Sequence, residues 1–229
     1  MSEDKGQTPT MTRKRTHVLR AARVVLVIAG LAAWFGSQAM LGARQFHGPI
    51  DDRVLEWLSP WHNYLVAHAA ARNGLLIASS ALIDMLGIYL LAQSIFGKTL
   101  RPFVGLLMLF ALRQSMQALC MLPTPEGMIW PREGPGFPSL LVTYGVGNDL
   151  FFSGHTALAV YGAVELARLR KGLIPVGIFI ALFEMLAVLT LRVHWTMDVY
   201  AGAVTALLVA FVAGPVARPV DRFVARFVR

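Results

Sequence analysis

Residues 75–96 read LLIASSALIDMLGIYLLAQSIF, a run of 22 residues in which Asp84 carries the only charge. An apolar helix of about 20 residues is long enough to cross the roughly 30 Å hydrocarbon layer of a bilayer. This stretch therefore predicts a transmembrane helix, and so a membrane protein.

The rest of the chain repeats this pattern. Of its 229 residues, 56% are apolar and 15% are charged. This composition has too few polar residues to form the surface of a water-soluble protein. Runs near the spanning length lie at 24–43, 75–96, 102–122, 155–169, 173–191 and 199–217, the fourth being a little short. We predict an all-α membrane protein, a six-transmembrane helical bundle.

Basic residues set the predicted orientation. They concentrate before the first run, between the second and third, between the fourth and fifth, and after the last, which all lie on one side of six spans. The positive-inside rule then makes both termini of this multi-pass protein cytoplasmic. The net charge of +8 fits this topology and anionic lipid at the inner leaflet, so nucleic acid is not an expected partner.

The chain divides into three predicted parts. They are a disordered cytoplasmic tail at 1–17, a six-span membrane domain at 18–217 with a catalytic core at about 75–217, and a basic cytoplasmic tail at 218–229. The first apolar run also resembles a signal peptide cleaved near Ser37-Gln38-Ala39, although its length favours retention as a span.

Two connections on the less basic side have distinct compositions. Apolar residues recur at helical spacing in 54–66, where Trp57 and Trp61 predict a short helix in the headgroup region. The connection at 123–152 is rich in Pro and Gly and predicts an irregular loop over the membrane edge. Its Trp130 and Tyr144 are candidates to line a site for a quaternary ammonium headgroup, or to anchor the loop at the interface.

Two histidines are predicted to meet at that same edge. Ser153-Gly154-His155 opens the fourth run, and His194-Trp195-Thr196-Met197-Asp198 precedes the last. The chain crosses the bilayer twice between them, so both histidines return to one level. Asp198 follows His194 by one helical turn and can accept a hydrogen bond from its imidazole. We predict that His155, His194 and Asp198 are catalytic, on the exoplasmic (periplasmic or lumenal) face.

The residues FSGHT at 152–156 and HWTMDV at 194–199 resemble the two signature motifs of the type 2 phosphatidic acid phosphatase superfamily. The closer resemblance is to its sphingomyelin synthase-like branch. That branch has an Asp six residues before the first histidine, as Asp149 stands here, and an Arg followed by Leu-Pro-x-Pro, as Arg113 and 122–125 stand here. The Lys-x6-Arg-Pro motif of the ordinary phosphatases is absent.

The resemblance implies a phospholipid headgroup phosphotransferase. His194, held by Asp198, would attack the phosphorus and form a phosphohistidine, while His155 protonates the departing diacylglycerol. The phosphoalcohol would then pass from the phospholipid donor to a lipid-alcohol acceptor such as ceramide. Transfer to water is the alternative and would make the protein a lipid phosphatase or phospholipase C-like hydrolase. Neither a metal nor another cofactor is implied, and the oligomeric state stays open.

Further residues near the two motifs are candidates to bind the phosphate or tune the histidines. They are Asp149, Ser153, Gly154, Arg113, Arg192, Trp130 and Tyr144.

Three of these candidates have a second interpretation. Arg113 lies within a span, where it could bind phosphate or pair with an intramembrane carboxylate, the candidates being Asp84, Glu165 and Glu184. Arg192 could bind phosphate or extend its charge to the interface. Asp149 could tune His155 or cap a helix. Charged residues within spans also suggest a transporter, but histidines at the membrane edge rather than the midplane argue against one.

Overall fold

The computed structural model describes residues 9–42, 50–129 and 150–226, of which 84% are helical and none forms a strand. The all-α prediction is confirmed for these residues. The helices are α1 Pro9–Gly42, α2 Arg53–Trp57, α3 Ser59–Ala67, α4 Ala69–Phe96, α5 Arg101–Leu119, α6 Gly154–Leu169, α7 Ile174–Thr190 and α8 Thr196–Arg226, with a 3-10 turn at Lys171–Leu173 before α7.

Five helical segments among the described residues are long and apolar enough to cross a membrane. They are Thr16–Met40, Ala69–Phe96, Arg101–Leu119, Lys171–Thr190 and Thr196–Arg226. The sixth predicted span is α6, whose 16 residues measure about 24 Å and fall short of the hydrocarbon thickness. The chain is thus a helical membrane protein with five candidate spans, and the sixth span stays a prediction.

Helices α1 and α8 continue beyond the apolar runs that predicted them. α1 begins at Pro9, inside the predicted tail 1–17, and α8 reaches Arg226, inside the predicted tail 218–229. The extension of α8 is held by Asp221, whose carboxylate accepts hydrogen bonds from the Thr99 hydroxyl and the Leu100 N–H. Hydropathy detects only the part of a helix that is apolar enough to lie in hydrocarbon, so it underestimates the length of both helices. The division into three parts stays a prediction.

α6 lies at the centre of the bundle and packs against α4, α5, α7 and α8. Its Ala159 and Tyr161 are fully buried, as are Leu90 of α4 and Ala206 of α8. Small residues let these helices approach closely, as is common in membranes. A side chain at Gly202 of α8 would place its Cβ 2.7 Å from the carbonyl oxygen of Ser153, just before α6. The first turns of α6 and α8 are consequently held together.

The bundle has two ends with different connections. We call the "site end" the one where α4, α6 and α8 begin, and the "opposite end" the one where α4 and α6 finish. At the opposite end Arg101 pairs with Glu165 and donates 2.7 Å to the Ala210 carbonyl. Arg23 donates 2.7 Å to the carbonyl of Gly97, which fastens α1 there.

The interfacial helix predicted at 54–66 forms in two pieces, α2 and α3, with Leu58 between them. Proline has no N–H to donate, and Pro60 accordingly lies in the first turn of α3, where a helix tolerates it. Leu55 and Leu65 are buried against the bundle, whereas Trp57, Trp61 and Tyr64 are exposed. This division between a packed face and an aromatic face suits a position at a membrane interface.

Candidate active site

His155 lies in the first turn of α6, directly after the helix cap. Ser153 caps the helix by accepting a hydrogen bond from the Thr156 N–H at 3.3 Å. The Ser153 N–H in turn donates to the Asp198 carbonyl at 3.0 Å, which ties the start of α6 to the first turn of α8. The free N–H groups at a helix start carry partial positive charge. His155 therefore stands where an anion would be stabilised.

His194 lies in the turn before α8, beside a buried carboxylate. Its Nδ1 is 3.5 Å from Asp198 Oδ2, and the two side chains are 7% and 0% exposed. This is an ion-pair distance and longer than a hydrogen bond, and the same Oδ2 accepts the Trp195 N–H at 2.9 Å. The predicted hydrogen bond between the His194 imidazole and the Asp198 carboxylate is therefore not formed in this structure. Because Nδ1 points to Asp198, Nε2 is the ring nitrogen on the side away from it.

The two predicted catalytic histidines belong to one electrostatic group with Arg113. His194 and Arg113 both lie near enough to His155 to act electrostatically on its imidazole. These residues come from three separate parts of the chain, namely α5, α6 and the turn before α8. The structure thus brings together the motifs that the sequence placed at one membrane edge, while their catalytic roles stay predictions.

Arg113 lies against the start of α6. Its Nε donates to the carbonyl oxygen of Phe152 at 2.9 Å. A Cβ on Gly154 would lie 3.3 Å from that same Nε, so the glycine leaves room for the guanidinium. Of the carboxylates proposed as its partner, Glu165 pairs with Arg101, and Glu184 accepts a 2.6 Å hydrogen bond from Ser79. A guanidinium beside a helix N-terminus is a good environment for a phosphate.

Arg192, the other predicted phosphate contact, holds the site end together in this structure. Its Nη1 donates to the Glu126 carbonyl and its Nη2 to the Ser59 hydroxyl, both at 2.9 Å. Its backbone φ of 55° lies in the left-handed region that few residues other than glycine adopt. Two of the five guanidinium N–H groups are used in these bonds, and the phosphate-binding role of Arg192 stays a prediction.

Asp52 was missed by the sequence analysis as a site residue. Its Oδ2 accepts the Thr196 N–H at 2.6 Å, and its Oδ1 accepts the Thr196 hydroxyl at 2.8 Å. The same Oδ1 accepts the Val54 N–H at 3.0 Å, so one carboxylate caps both α2 and α8. An Asp before a helical pattern is a recognisable cap signal for α2. Nothing in the pattern reveals its partner 144 residues later.

His62 lies in the interfacial helix predicted at 54–66, and its side chain is buried. Its Nδ1 donates to the Thr190 carbonyl at 3.0 Å, which fixes α3 to the end of α7. Burial lowers the pKa of His62 below its ordinary value of 6.5, and the nearby positive charge of Arg192 lowers it further, although the bond to Thr190 opposes both. Burial and the charge of Arg192 together favour the neutral imidazole, whose Nδ1–H still donates to the Thr190 carbonyl.

The remaining predictions concern the loop after α5 and the absence of a metal. Trp130, Tyr144 and Asp149 lie outside the described residues. The described start of the loop docks on the site end, because the Trp195 indole donates 2.7 Å to the Pro123 carbonyl and the Ile129 N–H donates 2.9 Å to the Leu191 carbonyl. Within 9–42, 50–129 and 150–226, no three His, Cys, Asp or Glu residues are grouped to hold a metal. That the reaction needs no metal stays a prediction.

A helical membrane protein with two histidines, an arginine and a buried carboxylate at one end of its bundle has the parts of an enzyme that acts on lipid phosphates. The chain belongs to the AtPDCT1/2 family, the phosphatidylcholine:diacylglycerol cholinephosphotransferases, whose model matches residues 55–215. No curated protein and no solved structure matches the chain.

The family match corrects one prediction and supports others. The resemblance to the sphingomyelin synthase-like branch of the type 2 phosphatidic acid phosphatase superfamily was wrong, because the matching family is a different, though related, one. The two histidine motifs span only a few residues each, which is too little sequence to specify the lipid acceptor. The coarser prediction of a lipid headgroup transferase is confirmed, since the family is one of lipid phosphocholine transferases.

Proposed function

We propose that this protein transfers phosphocholine from phosphatidylcholine to the hydroxyl of a diacylglycerol. The observation that carries the proposal is the grouping of His155, His194 and Arg113 at the start of α6, where positive charge can receive a phosphodiester. The matching family supplies the donor and acceptor classes. A diacylglycerol acceptor replaces the ceramide that the sphingomyelin synthase-like resemblance implied.

In the first half-reaction, Nε2 of His194 attacks the phosphorus of the donor. The bond between phosphorus and the glycerol oxygen breaks, and His155 gives that oxygen a proton, so diacylglycerol leaves. Asp198 lies 3.5 Å from Nδ1 of His194 and stabilises the positive ring that forms. The product on the enzyme is a phosphocholine group bound to His194.

The second half-reaction reverses these steps with a new lipid. His155, now deprotonated, takes the proton of the acceptor hydroxyl, and the resulting oxygen attacks the phosphorus. The bond between phosphorus and His194 breaks, and a new phosphatidylcholine leaves. Protons and charge balance over the two halves without a further reactant. Attack by water instead would release free phosphocholine, which is the hydrolase alternative.

Arg113 and the N-terminus of α6 are proposed to offset the negative charge of the phosphate. Charge-assisted hydrogen bonds from a guanidinium are about twice as strong as neutral ones. Preorganised donors of this kind contribute most where water is excluded. Ser153 and Gly154 serve this arrangement indirectly, since one caps α6 and the other makes room for the guanidinium.

The proposed topology has six spans, α6 being the short one, and an exoplasmic site. The described connections at the opposite end include the basic turn around Arg168, Arg170 and Lys171, which supports a cytoplasmic position. A short α6 would require the bilayer to thin locally or the site end to lie slightly below the headgroups. Catalytic residues at that depth can meet lipids that arrive laterally.

The test uses purified protein in liposomes with phosphatidylcholine carrying a radiolabelled phosphate. Diacylglycerol, ceramide and no added acceptor form the three arms. We expect labelled phosphatidylcholine that carries the acyl chains of the added diacylglycerol. Protein-bound label should appear in wild type and be absent in His194→Ala. His155→Ala should still bind donor but lose turnover by a factor of about 10² or more. Transfer to ceramide alone, release of free phosphocholine alone, or normal turnover by His194→Ala would each contradict the proposal.

A further inference from the structure

A groove of about 420 Å³ opens on the side of the bundle between α3, α4 and α7. Its walls are apolar or aromatic and include Trp61, Tyr64, Leu75, Phe183 and Leu186. α4 and α7 are both candidate spans, so the groove opens toward hydrocarbon. The mechanism proposed above makes no use of this groove.

The groove follows α7 away from the site end. Phe183, Leu186 and Thr190 are spaced three and four residues apart, so they lie on one helical face. Seven residues of helix rise by about 10 Å, which is the length of groove that this face provides. Thr190 lies where the groove meets the site end, and it precedes His194 by four residues in the chain.

The outer wall of the groove is fastened to the turn that carries His194. The His62 imidazole donates to the Thr190 carbonyl, and the Arg192 guanidinium donates to the Ser59 hydroxyl. Both bonds fix α3 in place, so the groove is formed before anything enters it. A preformed apolar channel tied to a reactive turn differs from the plain helix faces that ordinary bilayer lipid covers.

We propose that this groove binds one acyl chain of the glycerolipid substrate while its phosphate or hydroxyl lies at the histidines. The inference rests on the proposed function, because donor and acceptor are then both diacyl lipids whose chains must stay in hydrocarbon during transfer. The exposed Trp61 and Tyr64 suit a position at the membrane interface. The rest of the groove is lined by apolar residues such as Phe183 and Leu186. The groove would thus set how deep the lipid sits and favour long chains over short ones.

The test compares two leucines of equal exposure. Leu186 lines the groove and is 56% exposed; Leu207 is also 56% exposed but lies on α8, which does not line it. We expect Leu186→Trp to fill the groove and lower kcat/KM about tenfold for dioleoyl substrates, mainly through KM. Turnover of dihexanoyl substrates should be unchanged. Leu207→Trp should resemble wild type with both chain lengths.

A second measurement separates this proposal from the function on which it rests. Phosphatidylcholine with a diazirine near the end of one chain is photolysed in liposomes with inactive His194→Ala protein. Label should enter the peptide containing residues 183–190 and fall in the double variant with Leu186→Trp. An unchanged labelling pattern, or equal losses for long and short chains in the kinetic test, would overturn the groove proposal. Absence of transfer in wild type with either chain length would instead overturn the proposed function.

Discussion

At the scale of single residues, Asp198 links backbone and chemistry. One carboxylate oxygen accepts the Trp195 N–H, and the same oxygen faces His194 at 3.5 Å. Its other oxygen, Oδ1, is buried and makes no hydrogen bond within the described residues. A buried carboxylate with spare accepting capacity can strengthen its contact with a neighbouring imidazole once that ring becomes charged.

Replacing Asp198 by asparagine should therefore separate activity from folding. Asp198→Asn keeps an oxygen for the Trp195 N–H but removes the negative charge beside His194. We expect kcat to fall by about 10² to 10⁴ with a small change in thermal stability. Lipid transfer and thermal unfolding of the same detergent-purified sample measure both quantities. Turnover close to wild type would show that His194 does not need this charge.

For Asp52 we predict an effect on stability, because its carboxylate caps two helices. Loss of an N-cap costs about 1 kcal/mol for each helix, so Asp52→Ala should cost roughly 2 kcal/mol. Transfer activity should fall as well, since Thr196 and the turn before it lose their anchor. Asp51→Ala is the matched control, because Asp51 is exposed and next in sequence. Equal melting temperatures for the two variants would contradict the double cap.

His62 predicts a pH dependence of stability. Its pKa is lowered in the folded protein, so the unfolded chain binds a proton more readily as the pH falls below about 6.5. Stability from this group is complete above that pH and is lost as the pH falls toward the lowered folded-state value. Between pH 7.5 and 5.5 the melting temperature should fall further for wild type than for His62→Gln. Parallel curves would exclude His62 as the cause.

At the scale of elements, the contact between α6 and α8 decides whether the two motifs meet. Gly202 faces the Ser153 carbonyl at a distance that leaves no room for a Cβ. The chain segments on either side are the ones that carry His155 and His194. Helix pairing through a glycine thus controls the separation of the two histidines.

Two glycine substitutions test this contact. Gly202→Ala places a methyl group against backbone and should destabilise the protein by about 1 to 3 kcal/mol and reduce transfer. Gly74→Ala, on α4, meets no atom within 4 Å and should be neutral or stabilise by up to about 1 kcal/mol. Melting temperature and transfer rate are compared for both. A Gly202→Ala protein with normal values of both would mean that the helices separate without consequence.

At the scale of the whole molecule, polar side chains join distant segments of the chain at both ends of the bundle. Arg192 and Asp52 join distant segments at the site end, while Arg101 and Arg23 do so at the opposite end. The two ends are therefore fixed relative to one another by the packed helices between them. Which end faces the cytoplasm then decides the side on which transfer takes place.

Thiol labelling tests the orientation. In a Cys120→Ala background, Asn63→Cys lies on exposed α3 at the site end, and Arg170→Cys is exposed at the opposite end. With an exoplasmic site, a membrane-impermeant maleimide added to intact cells should label only the Asn63→Cys protein. The Arg170→Cys protein should be labelled after the membrane is permeabilised. The reverse order would place the site in the cytoplasm.

The sequence by itself determined the helical membrane class and the coarse function, that of a lipid headgroup transferase. Long apolar runs specify spans because each must satisfy its backbone hydrogen bonds internally, whatever its neighbours are. The pairing of His194 with Asp198 is likewise a local relation, one turn apart. The same local character explains why the motifs misidentified the family: a few residues around two histidines do not separate related families of lipid enzymes.

Only the tertiary structure decided which distant residues hold the site. Asp52 reaches Thr196 across 144 positions, Arg192 joins Glu126 to Ser59, and the groove needs three helices to enclose it. Local sequence patterns report periodicity and capping within a few residues, so contacts like these are invisible to them. They arise because the packing of α2 and α3 against α7 brings segments that are distant in sequence to one end of the bundle, and the partner available to each polar group is set by that packing.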